Sequence, residues 1–424
     1  MAGLLLGDYL YMNQHFPDNA FIERIPVSNL TVLEVIRKLE AADVDADSIN
    51  FITLYTSSES YEYAPSEIGA YIKPRATAYK AFKLAYEESY IKGLLKRAVN
   101  LHSPLALPFQ LGFDEERMAG VVGEIAAKKD IPAVEARCVL FDDGKYSLTK
   151  EKIGVGVGMS ETTSLLKESF EKAKRHSPLI IKVLVPRVLK KDLIAHPPVN
   201  FIARYKTSYG SHDSPNRIHN IKLLASELNN YIVLSGETFS LLSAMGEVSK
   251  EKGFKEAYVI INGELIPQYG GGACQIATTL YNAAMLADLE ITSRRNHAIY
   301  FYIYPLGRDA AIYNGTLDFQ FVNNTGNPIM LKSYASDDSL TFRVFGTHPG
   351  KVVSISNPRI YTETDGRFIN ETSREGFSFN VPFVTIVERT VSLEGKTVKR
   401  EKIRSFYRYA GESDNLKIVR PEPE

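Results

Sequence analysis

Two Ile-Gly steps, Ile68-Gly69 and Ile153-Gly154, lie 85 residues apart, and their surroundings match in order. The first follows a Tyr-marked stretch that opens at Tyr61 and leads into a helical stretch over 76–90. The second follows a similar stretch from Tyr146 and leads into a helical stretch over 160–175. Each unit reads as helix, strand, Tyr-marked turn, Ile-Gly strand, long helix and closing strand. In the first, residues 30–39 place apolar side chains at helical spacing; in the second, Asp114 caps a helix over 115–128. The closing strands read as 104–111 and 178–185. Such a duplication predicts two similar α+β modules side by side, serving as a spacer or binding platform. No catalytic cluster falls within them.

At 424 residues the chain exceeds what one ordinary core organises. His196-Pro197-Pro198-Val199 punctuates it like a domain boundary. The organisation expected is a residual segment over 1–20, repeats over 21–112 and 113–198, a mixed α/β domain over 199–348, and a β-rich extension over 349–424. In that extension, runs over 383–392 and 398–403 flank a Glu394-Gly395 turn, and a polar tail follows at 421–424. Fifty basic residues balance fifty acidic ones, which excludes a nucleic-acid footprint. Two cysteines exclude a disulfide scaffold, and no CxxC or HExxH occurs, so neither metal nor cofactor is expected. The apolar run from Leu4 to Leu10 is far too short to span a bilayer; it reads as a first strand or as the end of a membrane anchor.

The chemistry concentrates where Gly270-Gly271-Gly272 runs into Ala273-Cys274-Gln275 at a predicted helix start. Unsatisfied N–H groups at a helix N-terminus stabilise a thiolate, and glycines leave the backbone open to a substrate carbonyl. Helical phase puts Ile276, Leu280, Ala283 and Ala287 on a core face. Cys274, Thr278, Tyr281 and Met285 fall opposite, toward a groove or a second layer. Cys138, in a strand-like run, reads as a small core residue.

A nucleophilic cysteine needs a base oriented by a carboxylate or amide. His297, which opens an aromatic strand-like run over 298–304, is the best placed, with His212 and His219 as second choices. Asp309 and Asp318 are the carboxylates that could orient it. A tight hairpin about the turn at 305–308 brings Asp318 closer, and a wider loop brings Asp309 closer. Glu237 lies in a polar turn, and Arg217 and Arg295 could pair with substrate carboxylates.

These motifs occur in the order of a known family. Asn216-Arg217, Gly236-Glu237, Gly270 to Gln275 with Thr279-Leu280-Tyr281, Arg295-Asn296-His297 and Gly307-Arg308-Asp309 together resemble the VanW domain. Asp318 and Asn323 continue the pattern, and the likeness covers roughly 201–346. The two upstream repeats look like the peptidoglycan-binding modules that often precede that domain. The departures are small: Ala273 stands where Ile is commoner, and Ser235 where Pro is commoner.

The resemblance implies a bacterial cell-envelope protein with an N-terminal membrane anchor and peptidoglycan stem peptides as partner. It also implies a cysteine-dependent L,D-transpeptidase forming 3-3 cross-links. Cys274 would be its nucleophile, His297 the base and Asp309 or Asp318 the orienting group; Arg217, Glu237, Gly271, Gly272, Gln275 and Arg295 would line the substrate. A peptidase using the same cysteine, and a non-catalytic wall-binding accessory protein linked to vancomycin resistance, are the alternatives.

Overall fold

The computed structural model of the chain describes residues 11, 14–41, 51–86, 104–141, 143–172, 174–210, 213–261, 264–313, 315–347, 350–364 and 366–408. The apolar run at 4–10, residues 87–90 of the first long helix, His212 and the tail at 421–424 lie outside the described residues. Helices and strands mix throughout, as an α+β chain requires. Two compact units emerge: Met1–Val134 with Ile153–Val185, and Glu135–Lys152 with Pro186–Glu424. Among the described residues no helix is long and apolar enough to cross a membrane.

In the first unit, Val35, Ile36 and Leu39 of helix Val32–Ala41 pack with Ala78 and Ala81 of helix Pro74–Ala85. A second core joins helices Glu115–Lys129 and Met159–Glu171 through Val122, Ile125, Leu166 and Phe170. Asp114 caps the former, its carboxylate accepting the Arg117 N–H at 3.0 Å. The repeats interlock. Strand Ile52–Tyr55 pairs antiparallel with Ser60–Tyr63 and parallel with His176–Pro178, whereas Ile181–Leu184, within the closing strand read over 178–185, pairs antiparallel with Gly154–Val157. The equivalent hairpin of the second repeat, Cys138–Leu140 with Tyr146–Leu148, belongs to the second unit. There Cys138 is fully buried among Val188, Leu193, Ile232, Met330 and Phe345.

The second unit is built on a four-stranded antiparallel sheet in the order Asn200–Ser208, Ser339–Gly346, Ile329–Ala335, Tyr231–Val233. Helices Pro215–Glu227 and Ala273–Leu286 pack on it. The first starts with Ser214 as its cap and Pro215 in its first turn, the arrangement that leaves fewest backbone donors unsatisfied. The second carries no charged residue and is buried from Gln275 to Met285. Both faces of this helix are covered, and the second layer, rather than an open groove, meets the face that carries Thr278 and Tyr281. Tyr281 meets Phe319 edge-on at 5.7 Å and lies under the Arg294 guanidinium, while Thr278 Oγ1 donates to the Ala310 carbonyl at 3.2 Å. A helix that is apolar all round must be enclosed all round.

The closing hairpin forms as its alternation predicts, Phe383–Leu393 against Lys396–Tyr407 around Glu394-Gly395. Strands Lys351–Ile355, Arg359–Thr364 and Arg367–Thr372 extend it to a five-stranded antiparallel sheet. Residues 298–304 are not a strand. They wind through turns, with Tyr304 N bonded to the Phe301 carbonyl at 3.0 Å. Aromatic burial decides this: Tyr300 and Tyr302 pack into Phe379, while Phe301 and Tyr304 fold back onto His297. The tight strand–turn–strand hairpin about 305–308 therefore does not form.

Candidate active site

Three glycines let the backbone pass between a strand and a helix before turning into the cysteine helix. At Gly271 an added Cβ would lie 2.7 Å from the Ala257 Cβ. Gly272 caps the helix in the left-handed region at φ 112°, and a Cβ there would meet Ile221 Cγ1 at 2.7 Å. The cap leaves the Cys274 N–H without an acceptor among the described residues, whereas Gln275 N donates back to Gly272 O at 2.9 Å. The thiol itself is partly buried, with Sγ 3.7 Å from the Ile312 carbonyl.

The His297 imidazole acts electrostatically on the Cys274 thiol, and its Nδ1 meets Asp309. Nδ1 lies 2.6 Å from Asp309 Oδ2, and the His297 backbone N–H donates to the same oxygen at 2.7 Å. With Nδ1 on the carboxylate, Nε2 is the nitrogen left for the thiol. The ring stacks on Tyr304 at 5.0 Å and takes the edge of Phe301 at 5.2 Å, which fixes its plane. Asp309 is almost wholly buried. Its Oδ1 accepts from Tyr407 Oη at 2.6 Å and from Arg294 Nη2 at 3.3 Å. Arg294 Nε holds the Asp309 carbonyl at 2.7 Å, and Nη1 rests on Ser405.

Electrostatics follow this geometry. Burial pushes the Cys274 thiol up, but the hydrogen bond and charge of His297, with smaller help from the Ile312 carbonyl and Arg217, bring it below its ordinary value. Burial disfavours a charged His297, yet Asp309 and Cys274 overcome it and raise the imidazole to about 9. For Asp309, burial raises and His297 and Arg294 lower, with a net depression. All three directions favour a thiolate–imidazolium pair backed by a carboxylate.

The other residues singled out from the sequence divide sharply. Arg217 and Gln275 border the cysteine but face inward. Arg217 holds Asp213 at 2.6 Å and Gln275 Oε1 at 2.9 Å, and Gln275 Nε2 reaches Thr207 at 2.7 Å. Asp318 sits elsewhere: it accepts from Ser240 Oγ at 2.6 Å and Leu242 N at 3.0 Å, capping the short helix Leu241–Met245. Glu237 clasps Arg187 through both oxygens at 2.7 and 2.8 Å. Arg295 pairs with Ala311 through its backbone and leaves its side chain exposed. His219 bonds the Gly253 carbonyl at 2.9 Å. The reading of residue types missed Arg294, Tyr304, Ser405 and Tyr407; only Arg294, three residues before His297, carried a nearby signal. Among the described residues no His, Cys, Asp and Glu group is arranged to hold a metal ion.

Residues 216–345 match the family described as VanW like protein, and this span contains Cys274, His297 and Asp309. The chain carries a VanW-like domain. Residues 61–177, upstream of the VanW-like domain, match the family described as "Putative peptidoglycan binding domain". An uncharacterized Bacillus subtilis protein, YoaR, is 34% identical over 164 residues, covering 39% of this chain and 54% of the relative. The vancomycin B-type resistance protein VanW of Enterococcus faecalis is 28% identical over 151 residues, covering 34% of this chain and 55% of the relative. The chain thus spans just over half the length of these curated relatives. No solved structure matches it.

Proposed function

We propose that the VanW-like domain is a cysteine acyltransferase of the bacterial cell wall, acting on peptidoglycan stem peptides as an L,D-transpeptidase. The observation that carries this reading is His297 held by Asp309 through Nδ1 and acting on Cys274, which stands at a helix start bared by glycine. The wall as substrate is supported by the segment matching a peptidoglycan-binding family and by likeness to a vancomycin-resistance protein.

The Cys274 thiolate attacks the carbonyl of the L,D bond, and the Cys274 N–H receives the developing oxyanion. His297, as imidazolium, gives its proton to the leaving D-Ala amine, and a thioester remains. The side-chain amine of a neighbouring stem then attacks the thioester. His297 takes the amine's proton, and the new amide releases the thiolate. Water in place of the amine would give a carboxypeptidase. Asp309 keeps Nδ1 as the donor side of the ring and stabilises its charge.

Cross-linking of purified tetrapeptide muropeptides tests this directly. The native chain forms dimers and Cys274→Ala forms none; equal dimer formation by both would sink the reading. Dimers identify an amine acceptor, and shortened stems without dimers identify water. Activity should persist through neutral pH and fall as pH rises through about 9, where His297 loses the proton the leaving group needs.

A further inference from the structure

We propose that Tyr407, on the last strand of the closing hairpin, is a positioning residue for the Asp309 and His297 end of the site. The site is then complete only with that hairpin docked. This rests on the reading of Cys274 and His297 as a working pair, and it places part of the machinery outside the matched span 216–345.

Strand alternation delivers the residues. Along Lys396–Tyr407, Ser405 and Tyr407 turn inward and are buried, whereas Arg404 and Phe406, which alternate with them, are exposed. Tyr407 spends its single proton on Asp309 Oδ1 at 2.6 Å, and its oxygen accepts the Gly307 N–H at 3.0 Å. Both capacities of the hydroxyl are used on the loop that bears the carboxylate. Its ring is held by Phe383, stacked at 5.0 Å, so the hydroxyl cannot swing away.

The end of the same strand and Arg408 beyond it grip the neighbouring segments through four more hydrogen bonds. Ser405 Oγ accepts from Arg294 Nη1 at 2.8 Å and donates to the Gly307 carbonyl at 3.1 Å. Asn296 Nδ2 donates to the Phe406 carbonyl at 2.6 Å, and Arg408 N to the Ala298 carbonyl at 2.7 Å. The strand end therefore clamps both the segment holding His297 and the loop holding Asp309. The carboxylate divides its labour: Oδ2 serves His297, and Oδ1 is anchored by Tyr407 and by the longer Arg294 contact. Without the Tyr407 hydroxyl, Oδ1 keeps only that 3.3 Å contact, Gly307 N loses its acceptor, and the carboxylate is free to rotate off Nδ1.

The test is Tyr407→Phe in the full chain, read by the pH dependence of Cys274 alkylation with iodoacetamide and by muropeptide cross-linking. The charged groups bearing on the thiol and imidazole are Asp309, Arg294 and Arg217, with the phenols of Tyr304 and Tyr407 beside them. Tyr407→Phe is expected to move the alkylation profile to higher pH, leaving about tenfold less thiolate at neutral pH, and to slow cross-linking about tenfold. Tyr302→Phe removes a phenol from the same aromatic cluster and should track the native chain. A folded Tyr407→Phe protein with the native profile would overturn the proposal. If that variant loses its fold, Ser405→Ala substitutes: a smaller shift in the same direction supports the clamp, and an unmoved profile overturns it. Alkylation needs no wall substrate, so a native chain with a reactive Cys274 but no cross-linking would defeat the wall reading alone.

Discussion

The two cysteines of this chain sit in opposite surroundings, and the contrast shows what makes a thiol chemical. Cys138 is enclosed by aliphatic and aromatic side chains, and burial pushes its thiol up against a smaller opposing pull from the Lys332 charge. Cys274 is also desolvated, but it begins a helix, faces His297 and lies below its ordinary value. Burial is common to both, so burial is not what decides reactivity. On the proposed reading, the imidazole and the carboxylate behind it make the difference.

Removing the imidazole should erase the contrast. His297→Ala leaves burial as the dominant influence on Cys274, so its thiol should rise above the ordinary 9.0. Alkylation at neutral pH should fall more than about tenfold and cross-linking about a thousandfold, measured as pH–rate profiles of the variant and the native chain. Gly272→Ala attacks the helix start instead. Its left-handed φ and the close Ile221 contact should cost about 1–3 kcal/mol in denaturant unfolding and lower turnover by shifting the Cys274 N–H. Cys138→Ala should be the mildest. It empties a small volume in a packed cluster, costing on the order of 1 kcal/mol of stability, with cross-linking and Cys274 alkylation unmoved.

Much of the reactive half of this comparison was legible in the residues. The glycine run, the helix start and His297 as partner follow from local chemistry, and the same holds for Cys138 in a strand-like apolar run. The choice between Asp309 and Asp318 was not legible, because it depended on whether 298–304 extends as a strand. Those residues alternate like a strand, but their rings find better burial by turning, and the hairpin that would have favoured Asp318 is lost. Tyr407 was beyond reach for a different reason. Nothing beside it marks it as polar machinery, and its partner Asp309 stands 98 residues earlier in the chain. The interlocked repeats were half legible: the order of elements follows from the duplication, but strand exchange with His176–Pro178 is a tertiary choice.

The central claim is that Cys274 carries the acyl group. Incubating the chain with a tetrapeptide-stem donor, quenching in acid and mapping the modified peptide by mass spectrometry tests it most directly. The account predicts a hydroxylamine-labile adduct lacking the terminal D-Ala, on the peptide containing Cys274 and absent from the peptide containing Cys138. Cross-linking by Cys274→Ala, or turnover with the adduct on any other residue, would contradict it.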